Sequence, residues 1–175
     1  MQHQFRLIQN KLSEVPFPFD KIVTAFASDP SKNLASDEAY IDELLVTQYE
    51  SVNAHLILSL LYPHLDYFNK DIHKDHLHNA NFFKKINNNT DNIPTADLDF
   101  YKDVKNWNSI LNLQILNGSL NSSKKERLLK EWVKENNIDL DTHLIPQNIS
   151  LDISNFKQFI EERRKLLIVK IKSLT

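Results

Sequence analysis

The chain predicts an α+β fold, mostly α, in which a helical bundle encloses a small unit of two strands and a helix. Three observations predict it. Apolar residues recur at helical spacing through 38–61 and again from about Asn155, where Phe156, Phe159, Ile160, Leu167 and Ile171 share one side. Between these helices two short runs, around Ile72–Leu77 and at Leu111–Leu116, read as strands instead. A turn at Asn117-Gly118 then joins the second run to a further helix.

Taken in order, residues 5–14 and about 20–27 carry helical apolar spacing, with Pro16, Pro18 and Pro30 marking breaks. The segment "SDEAYIDELL" offers Ser36 or Asp37 as N-cap, and its acidic first turn suits the positive end of a helix. That helix is expected to close at Tyr62, because Pro63 disfavours a helical conformation in the residue before it. A strand follows near Ile72, then the asparagine-rich loop "KKINNNTDNIPTAD", then the second strand. The next helix is expected to begin near Asn121, where Asn or Ser caps its amides, and to bury Leu128, Leu129, Trp132 and Val133. Trp107 and Trp132 read as core. The organisation is an N-terminal helical segment over 1–66, a two-strand-and-helix core over 67–135 and a C-terminal helical segment over 136–175, all in one compact domain.

Composition removes several function classes. With 175 residues the chain can bury a real core without covalent staples, and it has no cysteine. Thiolate zinc sites and cysteine nucleophiles are therefore excluded, and any metal must bind through imidazole, carboxylate or amide. The single glycine, Gly118, rules against glycine-rich phosphate loops. No run of about 18 apolar residues occurs, and "MQHQFRLIQNKL" lacks the order of a signal peptide, so the expectation is a cytoplasmic protein with no membrane partner. Charge is uneven: residues 1–66 carry −5, residues 67–121 carry 0 and residues 122–175 carry +3. A basic C-terminal third can meet a polyanion even though the whole chain is at −2.

Chemistry concentrates in "NKDIHKDHLHNANFF", which sets three histidines and two aspartates within eight positions. Asp75 and His76 are sequential, so on a strand they point to opposite faces, and one can face a metal while the other reaches a water only if the strand end twists or bulges. Downstream, Asn112 stands between Leu111 and Leu113, where a buried amide needs partners. A carboxylate and an amide oxygen suit a hard divalent cation, and an imidazole beside them can take a proton from water.

These residues resemble the HNH, or ββα-metal, nuclease family, and more narrowly its GmrSD-like branch of modification-dependent restriction enzymes. The likeness runs from "KDHLHNANFF" through "WNSILNLQILNGSLNSSKKERLLKEWV", and "FKQFIEERRKLLIVKIKSL" looks like that branch's C-terminal helix. The resemblance implies a metal-dependent DNA endonuclease of restriction and phage defence. In it His76 is the general base, Asp75 and Asn121 are metal ligands, Asn112 braces the loop that positions the histidine, and Lys124 faces a phosphate or the developing charge. It implies Mg²⁺, with Mn²⁺ as the second candidate, and DNA as partner. Cutting both strands would require a homodimer or two events. Two positions depart from the pattern: Asn79 stands where many relatives have proline, and the final ligand is Asn rather than His. The branch's nucleotide-hydrolysing ParB-like domain has no counterpart in these residues, so the chain looks like the C-terminal portion of such a protein, or a stand-alone or trimmed version.

Two other readings compete. One is a non-catalytic nucleic-acid-binding or partner-docking module derived from an HNH domain. The other is a structural zinc domain built on His73, His76 and His78, for which the spacing is poor.

Overall fold

The first described helix, α1 (Glu38–Leu45), buries Ile41 and Leu45, one turn apart on a single face. The computed structural model describes residues 38–68, 71–87 and 93–174; the helices expected over 5–14 and 20–27 lie outside them. A second helix, α2 (Val52–Leu61), starts at Ser51, whose hydroxyl accepts from the Asn53 amide at 3.2 Å. It stops before Tyr62, at φ −117° and ψ 56°, as Pro63 demands.

The expected single helix over 38–61 is thus two. Residues 46–51 leave the helix because their backbone pairs with a distant segment: Tyr49 N–H donates to Asn108 O at 2.8 Å, Ile110 N–H donates to Thr47 O at 3.0 Å, and Gln48 bridges Ser109. Periodicity within one window cannot report such a pairing.

Strand β1 (Ile72–His76) pairs antiparallel with β2 (Leu113–Asn117), Ile72 opposite Asn117 and His76 opposite Leu113. Between them come α3 (Ala80–Lys84), capped by the Asn79 side chain, then α4 (Leu98–Lys102) and α5 (Val104–Trp107). A 3-10 turn at Ile110–Asn112 leads into β2, two residues later than the sequence suggests.

Directly after β2 comes α6 (Gly118–Lys124), whose N-cap is Asn117: its side-chain oxygen accepts from Leu120 N–H at 3.0 Å. Asn121 therefore sits inside this helix and is not its cap. The helix ends at Lys125, held at a φ of 44°, so the apolar stripe of Leu129 and Trp132 belongs to a separate helix, α7 (Leu129–Glu135).

The long C-terminal helix α8 (Phe156–Lys172) buries Phe156, Phe159, Ile160, Leu167, Ile168 and Ile171 along one side. In the middle of that side Arg163 is fully buried and donates through Nη2 to Leu113 O at 2.6 Å and to the Tyr62 hydroxyl at 3.2 Å. A guanidinium so placed latches α8 to the first residue of β2. The described residues form an α+β, mostly helical fold, with a core of Phe83, Tyr101, Trp107, Trp132, Phe156 and Phe159 beside the two-stranded sheet.

Candidate functional site

Both Asp75 and His76 lie at the end of β1, and the ladder stays in register through them, Asp75 opposite Gln114 and His76 opposite Leu113. Their side chains accordingly leave opposite faces of the strand. Each face is built differently.

On the Asp75 face the partner comes from α6. Lys124 Nζ lies 2.8 Å from Asp75 Oδ2 and also donates to His76 O. Gln114 Nε2 reaches the same carboxylate oxygen at 3.5 Å, while its Oε1 stands 3.3 Å from His143 Nδ1. Lys124 is only 1% exposed and Asp75 is 23% exposed. Burial pushes the Lys124 ammonium below the ordinary lysine range, and the Asp75 charge opposes that. Lys124, expected to face a phosphate or the developing charge, points inward and clamps the strand end through Asp75 and the His76 carbonyl. Both contacts fall on Oδ2, which leaves Oδ1 of Asp75 without a hydrogen bond among the described residues.

On the other face His76 stacks on Tyr49, with ring centroids 5.0 Å apart and planes at 15°, and lies tilted against Trp107. Its Nε2 is 2.9 Å from Asn108 Oδ1, and Asn108 Nδ2 donates to Glu50 Oε2 at 2.8 Å. Burial lowers the imidazole below its ordinary range; the Asn108 hydrogen bond and the Asp75 charge pull the other way. A part-buried, neutral imidazole is the state a proton acceptor needs.

Asn112 is completely buried, and its amide is fully used. Oδ1 accepts from His78 N–H at 2.9 Å, and Nδ2 donates to His78 O at 2.9 Å and to Trp107 O at 2.8 Å. It thus braces the turn that leaves His76. Asn121 lies one helical turn before Lys124, on the same face of α6. Its side-chain amide makes no hydrogen bond among the described residues.

The neighbouring histidines go elsewhere. His73 Nε2 pairs with Asp71 Oδ2 at 2.8 Å near the surface. His78 is 2% exposed, edge-on to Phe156 and Phe159, with centroids 5.4 Å and 4.6 Å away. It also lines a cavity of about 350 Å³ with Leu128, Leu129 and Leu151, which neither Asp75 nor His76 touches. Three imidazoles with three separate environments do not form a zinc site, and no group of three or more His, Asp or Glu side chains among the described residues could hold a metal.

Mg²⁺ keeps several waters and takes one or two protein oxygens, and the unengaged Oδ1 of Asp75 and the amide oxygen of Asn121 are donors of that kind. Sequence reasoning missed Glu50, Asn108, Tyr49 and Gln114. Asn108 and Gln114 carried only the signal of polar residues beside an apolar run, in "NWNSILNLQ", and Tyr49 and Glu50 lay in the unremarked "TQYES". No protein-family model matches the chain, and no curated protein matches it.

Proposed function

We propose that the chain is a metal-dependent endonuclease of HNH type that hydrolyses DNA phosphodiester bonds, as the nuclease part of a GmrSD-like restriction or phage-defence protein acting in the cytoplasm. One observation carries the reading. The antiparallel pair ends on Asp75 and His76, β2 feeds directly into α6, and the buried Asn112 grips the backbone just past His76. A bound Mg²⁺ or Mn²⁺ would supply positive charge against the phosphate, with Asp75 and Asn121 as the residues to hold it. His76 takes the proton of the attacking water on Nδ1. The new bond forms between that water's oxygen and phosphorus as the bond to the leaving sugar oxygen breaks, and the leaving oxygen takes a proton from solvent. Lys124 orients the Asp75 carboxylate instead of meeting the substrate. Among the described residues no helix is long and apolar enough to cross a membrane.

The test is plasmid nicking by the full chain in Mg²⁺ and in Mn²⁺. His76→Ala should lower the rate by about 10²- to 10⁴-fold, the usual worth of a general base, with an unchanged circular dichroism spectrum. Equal nicking by the wild-type chain and the variant removes the proposal.

One observation favours the second reading, a non-catalytic nucleic-acid-binding module. The Lys124 ammonium already supplies a cation to Asp75. On that reading DNA is retained in chelator, retention weakens as salt rises, and no metal elicits cleavage.

A further inference from the structure

The proton on His76 is assigned by its neighbours. Asn108 is 5% exposed, and its amide meets a carboxylate on one side, Glu50 Oε2 at 2.8 Å, and an imidazole nitrogen on the other, His76 Nε2 at 2.9 Å. A carboxylate only accepts, so the amide must turn its nitrogen to Glu50 and its oxygen to His76. Flipping it would set oxygen against the carboxylate. An amide oxygen has no hydrogen to give, so Nε2 is the protonated nitrogen and Nδ1 bears the lone pair. Nδ1 makes no hydrogen bond among the described residues, and it is not one of the buried unpaired polar atoms.

The relay is held from outside the two strands. Tyr49 N–H donates to Asn108 O, Gln48 bridges Ser109, and the Tyr49 ring stacks on His76. The break between α1 and α2 therefore places Glu50 and Tyr49 against the strand end from a segment about 25 residues upstream.

We infer that Glu50 and Asn108 are positioning residues which fix the His76 proton on Nε2 and so keep Nδ1 as the proton acceptor of the hydrolytic site. The inference rests on the reading of His76 as general base, yet its core, the tautomer, can be observed without any activity.

The experiment is ¹⁵N NMR of the full, histidine-labelled chain without metal, the His76 signals being assigned by their loss in His76→Gln. The ring-nitrogen shifts and their proton couplings distinguish the two tautomers. The wild-type chain should show Nε2–H, and so should Glu50→Gln, whose amide oxygen still accepts from Asn108. Glu50→Ala frees the amide to flip and should give a mixture of tautomers, with nicking lowered by about 10- to 100-fold, the usual worth of a partner that orients an imidazole. Glu50 is exposed, so its replacement keeps the test available if Asn108→Ala fails to fold. A wild-type His76 carrying its proton on Nδ1, or a tautomer unchanged in Glu50→Ala, overturns the inference. Nicking that survives alongside that result leaves the nuclease reading intact. A chain that never nicks, with a tautomer that follows Glu50, removes the nuclease reading and upholds the relay.

Discussion

His76 and His78 are two residues apart, carry the same side chain and live in opposite chemical conditions. His76 stands at the strand end with one nitrogen held by Asn108 and the other unengaged. His78 lies edge-on to Phe156 and Phe159, and its Nε2 is a buried atom without a partner. Both imidazoles are lowered by burial; at His76 the Asn108 hydrogen bond and the Asp75 charge oppose the shift, whereas at His78 the Lys124 and Arg163 charges add to it and only the Asp152 charge opposes. The contrast separates a histidine arranged to exchange a proton from one that packs as an aromatic wedge. What divides them is a pair of buried polar grips: Lys124 holds the carbonyl of His76, and Asn112 holds the N–H and carbonyl of His78.

Breaking the Lys124 grip should have the largest effect on stability. Asp75→Asn leaves a lysine that is 1% exposed without its counter-charge, a change that costs about 3–5 kcal/mol in a buried pair. Lys124→Met should cost less, because the Asp75 carboxylate is 23% exposed and can be hydrated. In chemical denaturation the double variant should be more stable than the sum of the two single losses, since no lone charge remains. Strict additivity would mean that the pair is not coupled and that Lys124 does not hold the strand end through Asp75.

Removing the Asn112 grip comes next. Asn112→Ala strands His78 N–H, His78 O and Trp107 O in the interior, which should lower stability by about 2–4 kcal/mol. If the turn also positions His76, nicking by the remaining folded protein falls with it. A variant as stable as the wild-type chain would show that the turn holds itself.

How much of this was legible in the sequence follows from where each interaction's partners lie. The strand at Ile72, the end of α2 before Pro63 and the start of α8 are local events, written in alternation, proline and apolar spacing. Asn112 was legible too, because an amide in the middle of an apolar run must find partners. The direction of Lys124 was not: "NSSKKE" has the look of a solvated helix face, and only a carboxylate 49 positions earlier turns the lysine inward. The same holds for Glu50 and Asn108, which are 58 residues apart and meet because 46–51 gives up its helix to pair with 108–110. Cap identity was misread for a subtler reason. Asn117 and Asn121 both precede helical residues, and the cap goes to the one at the strand end, where the backbone is still extended, at φ −72° and ψ 160°.

The smallest predicted effect sharpens the comparison most, because it reads the two histidines in one experiment. His78 is lowered to about 3 in the folded chain, against about 6.5 when unfolded. Between those values the unfolded state binds a proton that the folded state refuses, so stability is intact above about pH 6.5 and declines as pH falls, by about 1.4 kcal/mol per pH unit. His143, lowered to about 4, adds loss of the same sign, reduced by its partial exposure. From about pH 7 to about pH 5, His78 alone should cost about 2 kcal/mol. His78→Leu keeps an apolar group between the phenylalanines and should remove that share of the decline, whatever its stability at neutral pH. Carboxylate titration is common to both chains and cancels in the difference. His76→Gln should flatten the decline less, since Asn108 and Asp75 oppose the burial there. Urea unfolding at the two pH values measures all three chains. A His78→Leu chain that declines as steeply as the wild type would mean that His78 takes up its proton in the folded state, and the phenylalanine cage would then not seal it.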